Sequence, residues 1–435
     1  MANTQSIKIR LFQRKLYTLS KQDKDRRFYS LYDKVYRNDI LLEAYYQCKT
    51  NRGKPGIDGI TFKNIEEQGL TSWIENVSQV LKNRTYVPSP VKRVYIPKPD
   101  GGERPLGIPT IRDRVIQTAC KIVVEPIFEA QFSDNSYGYR PKRRAADAVK
   151  MIKTSINQGF VHVLDADLSG YFDNIPHDRL LDKIARRISD TSILALMRKF
   201  LRAPVAEISR NGKTSIKRSE KGTPQGGVIS PLFANLYLND FALLINTRTP
   251  CRMISYADDF VIMHKKAFTP EQLTWFKEMV ESEGLNLNEK KTCVEDMSKQ
   301  LAEIDFLGFN FKQVPCFWKK GRWYLKVQPS KKSQKKFRDK IRTIVKHRTS
   351  KTMEELIAEI NPVIKGWKNY FAQCGYPKQV FFKMDWFVVG RFYGWAKRLS
   401  QRNSKCLTPD AWEILKKNGL EFFVVTKTAP VKGKV

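Results

Sequence analysis

Three aspartates carry the chemistry most directly readable in this sequence. Asp258 and Asp259 stand side by side in Tyr256-Ala257-Asp258-Asp259, flanked by two β-like runs, Arg252–Tyr256 and Phe260–Met263. Asp167 lies upstream, after an apolar run from Phe160 to Ala166 that reads as a buried strand delivering Asp165 and Asp167 at its end. Phosphoryl transfer from a nucleoside triphosphate uses two Mg²⁺ ions roughly 4 Å apart. Mg²⁺ is a hard cation that prefers carboxylate oxygens, so two or three aspartates must converge from rigid elements. Ala-Asp is a poor two-residue hairpin loop, where Asn-Gly or Asp-Gly would be favoured. Paired acids at a poor turn mark a place where function overrides local preference. An Asp-Asp pair alone reads more readily as a turn cap; the surrounding sequence decides.

Several elements must position these carboxylates. Residues 1–50 are basic and aromatic, and Leu31, Val35, Leu41, Leu42 and Tyr45 recur at helical spacing, which predicts an N-terminal helical extension. Asn51–Gly59 is a Gly/Pro-rich loop. Residues 91–110 predict a strand, a tight turn at Asp100-Gly101-Gly102 and a returning strand. From Ile111 to Phe132, Val115, Ile116, Ala119, Ile122, Val123, Ile127 and Phe128 predict a helix. Lys331–Arg348 puts Phe337, Ile341, Ile344 and Val345 on one helical face and basic side chains on most of the rest. The change of character places a domain boundary near residue 315, with 51–315 before it and 316–435, ending in a basic tail at Lys427–Val435, after it.

Lys and Arg number 78 against 44 acidic residues, a formal net charge of +34. That self-repulsion calls for a polyanion, and each cation placed at a nucleic-acid phosphate releases a counterion. The charge is spread along the chain, which disfavours a membrane-surface role. Seven cysteines form no C-x-x-C pair, and only four histidines occur, so neither a disulfide framework nor zinc or histidine chemistry is expected. No apolar run approaches transmembrane length and no secretory h-region opens the chain. The expectation is a soluble, reduced, cytoplasmic protein.

Ordered blocks surround the aspartates: Ile96–Pro109, Phe132–Pro141, Asp165–His177, Gly222–Asn235, Tyr256–Asp259, Leu285–Thr292 and Phe306–Phe309, followed by Ile364-Lys-Gly-Trp-Lys-Asn-Tyr-Phe371. Together, over roughly residues 30–400, they resemble the reverse transcriptases encoded by group II introns, the reverse transcriptase/maturases. The resemblance implies an α+β right-hand polymerase, with fingers and palm followed by an α-helical thumb or maturase domain.

It also implies roles. Asp167, Asp258 and Asp259 would hold two Mg²⁺ ions, with Mn²⁺ able to substitute; Asp167 and Asp258 are the principal pair and Asp259 the supporting member. Lys98 and Arg104 would hold the incoming triphosphate, as a charged fork on a hairpin can. Phe172 stands where the family places an aromatic steric gate, beside Tyr171 as a core aromatic, and Leu168 belongs to the same dNTP site. Gln225 in Pro224-Gln225-Gly226-Gly227 would lie beside the nascent base pair, with Gly226 letting the backbone approach the nucleic acid. Lys291 resembles the family's lysine near the phosphates. Arg140, Arg143, Lys335, Lys336, Lys340, Trp367 and Lys368 would touch template or primer, and Phe306–Phe309 resembles a primer grip.

The partners so implied are an RNA template, a DNA primer, dNTPs and group II intron RNA; the N-terminal helical region could support a homodimer. The H-N-H nuclease with cysteine pairs found in many members has no counterpart in this sequence, so no intrinsic endonuclease is expected. Two alternatives share the motifs: a domesticated relative serving defence or DNA repair, and an RNA-binding splicing cofactor that does not polymerise.

Overall fold

The apolar residues spaced three and four apart between Ile111 and Phe128 form a buried helix against which the N-terminal part of the chain packs. The structure is a computed structural model that describes residues 2–97, 102–208, 214–218, 220–289, 291–316, 319, 321–346, 351–399 and 411–424. Its first elements are α1 (Ala2–Gln22), α2 (Tyr32–Val35), α3 (Asn38–Thr50), α4 (Phe62–Gln68), α5 (Leu70–Lys82), β1 (Val91–Pro97), β2 (Glu103–Ile108), α6 (Ile111–Glu129), α7 (Ala145–Asn157) and β3 (His162–Asp167). Next come α8 (Tyr171–Asn174), α9 (His177–Ala185), α10 (Thr191–Leu201), β4 (Val205–Ile208), β5 (Thr214–Lys217), α11 (Ser230–Arg248), β6 (Arg252–Tyr256), β7 (Asp259–His264) and α12 (Pro270–Ser282). The last are β8 (Cys293–Asp296), β9 (Glu303–Phe306), β10 (Phe309–Pro315), β11 (Trp323–Pro329), α13 (Lys331–Val345), α14 (Met353–Phe371), α15 (Lys378–Leu399) and α16 (Ala411–Lys417). This is the α+β mixture expected. Among the described residues no helix is long and apolar enough to cross a membrane.

Two compact units emerge. The first takes Met1–Arg143, Ala166–Ile262 and Phe268–Cys293; the second takes Arg144–Asp165, Met263–Ala267 and Val294–Val435. This differs from the expected division in two ways. Residues 1–50 are not a separate extension. Gln13 and Ser20 on α1 donate to the Ile122 and Ile127 carbonyls of α6 at 3.0 and 2.7 Å, and Phe28 N donates to Arg187 O at 2.8 Å. A boundary at 315 would also cut a hairpin, because β10 pairs with β11 from Phe309↔Pro329 to Pro315↔Trp323.

In the first unit, Thr110 caps α6 by accepting from Asp113 N at 3.2 Å, which satisfies one of the free N–H groups of the first turn. β1 and β2 pair antiparallel with Ile96 opposite Arg104, and β1 continues in parallel with β4, giving a sheet ordered β2-β1-β4-β5. The strands that bear the three aspartates are ordered β6-β7-β3-β8 and are not confined to the first unit. The strand–turn–strand reading of residues 91–110 holds for its strands; Asp100 and Gly101 of the turn lie outside the described residues.

In the second unit, β9, β10 and β11 form an antiparallel meander. The helices after it bury Phe337, Ile341, Ile344 and Val345 of α13, the face predicted. Trp367 packs its ring against Phe337, Phe371, Phe381 and Phe423 at centroid distances of 4.6–6.0 Å. α13 ends at Val345, where Lys346 turns to an extended conformation; Arg348 and the tail at Lys427–Val435 lie outside the described residues.

Candidate active site

β6 ends at Tyr256 and β7 begins at Asp259, so Ala257-Asp258 is the two-residue turn of the hairpin. Ala257 adopts φ +59°, the left-handed region, which costs a non-glycine residue about 1–2 kcal/mol. Neighbouring backbone holds it there. Ser255 N donates to Asn135 O at 3.0 Å and Tyr137 N donates to Ser255 O at 2.9 Å. Gly138 then lies flat on the turn: a Cβ at 138 would overlap Ala257 N and stand 2.8 Å from the Tyr256 carbonyl carbon. Asn235 on α11 fixes Gly138 by donating to its carbonyl at 2.8 Å. The Ser136–Pro141 stretch is therefore a brace for the acidic turn. Asp258 is half-buried and Asp259 exposed.

Asp167 is the last residue of β3, the strand beside β7. A segment after α12 clamps it. Asn288 N donates to Asp167 O at 2.7 Å, and Ser169 N donates to Asn286 O at 2.9 Å. The carboxylate itself accepts from Asn288 Nδ2 at 3.2 Å and from Lys291 Nζ at 2.9 Å. Leu168 turns inward, 3% exposed and bridged to Leu287, so its side chain is core and not a wall of the dNTP site as expected.

Among the described residues no three His, Cys, Asp or Glu side chains form a ready ligand cluster. The expected convergence of Asp167, Asp258 and Asp259 is thus incomplete, since Lys291 and Asn288 hold Asp167. The donor set nonetheless fits a hard divalent cation. Its donors are carboxylates, an ammonium already stands against Asp167 as a cation would, and Mg²⁺ normally keeps several ligands from water and substrate phosphate.

Behind the carboxylates, α8 presents two adjacent rings. Tyr171 is core: its hydroxyl donates to Ala234 O at 2.5 Å, and burial pushes its phenol well above the ordinary value. Phe172 is edge-on to Tyr139 at 6.5 Å. Thr223 N donates to Phe172 O at 2.7 Å, Gln225 Nε2 to Asp173 Oδ2 at 3.2 Å, and Gly107 N to Gln225 O at 2.6 Å. These bonds tie the Pro224–Gly227 loop to both α8 and β2. Gly226, at φ +110°, needs its missing side chain because a Cβ would overlap Gly107 O and meet Leu106 Cδ1 at 3.1 Å. One close approach that selects glycine here is to β2. Arg104 is exposed on β2. Burial raises the Tyr139 phenol pKa; Asp258 adds to the rise and Arg104 opposes it, so both charges stand near that ring. Lys98 and Lys290 lie outside the described residues.

Four expected nucleic-acid contacts turn inward. The Arg140 guanidinium forks onto Glu129 at 2.8–3.1 Å and donates to the Ser133 and Ser136 carbonyls at 2.6 and 2.7 Å, with its side chain only 2% exposed. Arg143 folds over the Tyr137 ring at 5.5 Å and donates to Asp134. In the second unit Trp367 belongs to the aromatic core, and Lys368 donates to Phe422 O at 3.0 Å. Lys335, Lys336 and Lys340 are exposed on α13, as expected. Phe309 of the expected primer grip packs on Tyr370 and Phe371 at 5.3 and 4.8 Å. Residues unforeseen in the sequence are Gly138, Tyr139 and Asn288. The signal for the first two was present: a Tyr-Gly-Tyr-Arg run between two structured blocks.

Residues 96–311 match the family model described as reverse transcriptase (RNA-dependent DNA polymerase), and residues 334–412 match the group II intron, maturase-specific domain. The chain belongs to the group II intron reverse transcriptase/maturase family. Protein YkfC of Escherichia coli (strain K12) is 36% identical over 242 residues, 54% of this chain and 62% of that protein. The group II intron-encoded protein LtrA of Lactococcus lactis subsp. cremoris is 35% identical over 305 residues, 68% of this chain and 47% of that protein. An uncharacterized 91 kDa protein in the cob intron of Schizosaccharomyces pombe is 34% identical over 233 residues, 52% of this chain and 28% of that protein. The chain thus spans about half the length of the curated relatives it matches. Reverse transcriptases are generally dependent on divalent metal.

Proposed function

We propose that this chain is an RNA-directed DNA polymerase that copies an RNA template onto a DNA primer from dNTPs, and that it binds group II intron RNA as a splicing maturase in the cytoplasm. One observation carries the reading: a braced Ala257-Asp258-Asp259 turn lies in the reverse transcriptase match of a chain that also carries the maturase-specific match. Asp167 and Asp258 are the principal holders of two Mg²⁺ ions, with Asp259 in support at the start of β7. When bound, the ions lower the pKa of the primer 3′-hydroxyl and offset charge on the leaving pyrophosphate.

The chain's own residues do the rest. Asn288 holds the Asp167 backbone and carboxylate in place. Lys291 exchanges Asp167 for triphosphate oxygens, a charge-assisted contact shared with Arg104 and Lys98. Phe172 stands where the sugar of the nucleotide passes and selects against a 2′-hydroxyl. Gln225, held by Asp173 and β2, lies beside the nascent pair. Along α13, Lys335, Lys336 and Lys340 follow backbone phosphates. Arg338, Arg342 and Arg391 crowd the Phe387 ring at 5.3–5.9 Å, a like-charge cluster that an anionic backbone relieves.

Primer extension tests this reading. The purified chain, given RNA template, DNA primer, dNTPs and Mg²⁺, makes cDNA, and an Asp258→Asn variant does not. Retained RNA binding without cDNA would favour the splicing cofactor that does not polymerise.

A further inference from the structure

Tyr139 is the residue that the motif roles leave unused and the geometry does not. Its backbone is left-handed at φ +56°, an arrangement costing a bulky residue about 1–2 kcal/mol and one that concentrates at functional sites. It is pinned on both sides. Gly138 before it presses on the Ala257 turn, and Arg140 after it is locked to Glu129, Ser133 and Ser136. The ring has no such anchorage and stays 51% exposed. One edge meets Phe172 at 6.5 Å and an interplanar angle of 81°, and its hydroxyl stands in the field of Asp258, Asp259 and Arg104.

Phe172 thereby meets two rings that differ in kind. Tyr171, at 5.7 Å, is fixed in the core by its bond to Ala234 O. Tyr139 is the half-open one, and it is cantilevered from the same brace that shapes the acidic turn. A gate discriminates against one extra hydroxyl only if its ring cannot yield. Of the two rings that meet Phe172, Tyr139 is the one not fixed in the core.

We propose that Tyr139 is a positioning residue that sets how strictly the site excludes a 2′-hydroxyl, by bracing Phe172 through their edge-on contact. This rests on the reading of Phe172 as the sugar gate. The phenyl ring does the bracing and the hydroxyl is dispensable for it.

The test is the ratio of kcat/KM for dGTP to kcat/KM for GTP in primer extension, measured on one preparation of each variant. A merely structural lesion that inactivates part of the protein cancels in that ratio. Tyr139→Ala lowers the ratio by about tenfold or more, chiefly by lowering KM for GTP, the size expected for loosening one steric contact. Tyr139→Phe keeps the wild-type ratio. Phe172→Ala lowers the ratio further, and adding Tyr139→Ala to it changes nothing more. If Phe172→Ala relaxes selection and Tyr139→Ala does not, the bracing role is overturned and the gate reading stands. If Phe172→Ala leaves the ratio unchanged, both are overturned. If Tyr139→Phe behaves like Tyr139→Ala, the ring is not the active element and the proposal fails.

Discussion

Gly138 and Ala257 meet backbone to backbone, with no room for a side chain on the first and a left-handed conformation imposed on the second. The acidic turn is therefore shaped from outside its own hairpin. Gly138→Ala pushes the Tyr256-Ala257 peptide, which leads into Asp258, away by about 1 Å. A shift of that order costs about 10²-fold in rate where reacting groups must align. Single-nucleotide incorporation by this variant should show that loss in kcat with its fold retained by circular dichroism; wild-type kcat would deny the brace its role.

Lys291 stands against Asp167 Oδ2 at 2.9 Å, where a divalent cation would compete with it. Lys291→Ala removes a partly exposed partner, an effect worth roughly two- to fivefold in affinity. Mg²⁺ titration of the protein alone by calorimetry should therefore show tighter binding. The KM for dNTP should rise in the same variant, because a phosphate partner is gone. A weakened Mg²⁺ titration would contradict the competition.

Arg140 is structural. Its removal strands the Glu129 carboxylate, 16% exposed, together with the Ser133 and Ser136 carbonyls. Breaking a buried ion pair by removing one partner costs about 3–5 kcal/mol. Urea unfolding of Arg140→Ala should show that loss, with RNA affinity of the folded protein unchanged. A stable variant with weakened RNA binding would return Arg140 to the nucleic acid.

The exposed lysines of α13 behave oppositely. Lys335→Ala, Lys336→Ala and Lys340→Ala combined should leave stability near wild type and weaken RNA binding across sequences. The slope of log affinity against log salt should fall by about one per lysine removed. An unchanged slope would mean that these ammonium groups meet no phosphate.

Asp385 sets a pH dependence. It is fully buried on α15 and accepts from Phe423 N at 2.9 Å and Val424 N at 3.0 Å. Burial pushes its carboxyl from 3.8 up to about 6, against those two donors and Lys368. A pKa higher in the folded than in the unfolded chain means that folding takes up a proton in that interval. The stabilisation is full below the unfolded value and is lost as pH rises through about 6. Its size is on the order of 3 kcal/mol. From pH 4 to 7 the stability of wild type should fall relative to that of Asp385→Asn across this window. A constant difference would exclude the titration.

What the sequence revealed followed a physical division. Periodic apolar faces were legible: Val115 to Phe128 on α6 and Phe337 to Val345 on α13 are buried as their spacing requires. The hairpin around Asp258 was legible from its flanks. The direction of long cationic side chains was not. Arg140 and Lys368 look like nucleic-acid contacts until Glu129, Ser133 and Phe422 are seen to supply their acceptors, partners 11, 7 and 54 residues away. Tyr139 stands in the legible Tyr-Gly-Tyr-Arg run, but where its ring lies was not legible, for a related reason. Its role comes from a left-handed backbone fixed by Gly138 and Ala257, which are far apart in sequence. The division at residue 315 followed composition, whereas the pairing of β10 with β11 follows hydrogen bonds.

The clamp on Asp167 has a consequence for the life of the chain before it is finished. Its carboxylate partner Asn288 is encoded 121 residues downstream. A ribosome adding about 5–20 residues per second needs roughly 6–24 s to cover that interval. Throughout it, the nascent chain holds an aspartate at the end of β3 with no partner from the later segment. A polypeptide that has not yet been extended past Asn288 therefore lacks the clamp on Asp167.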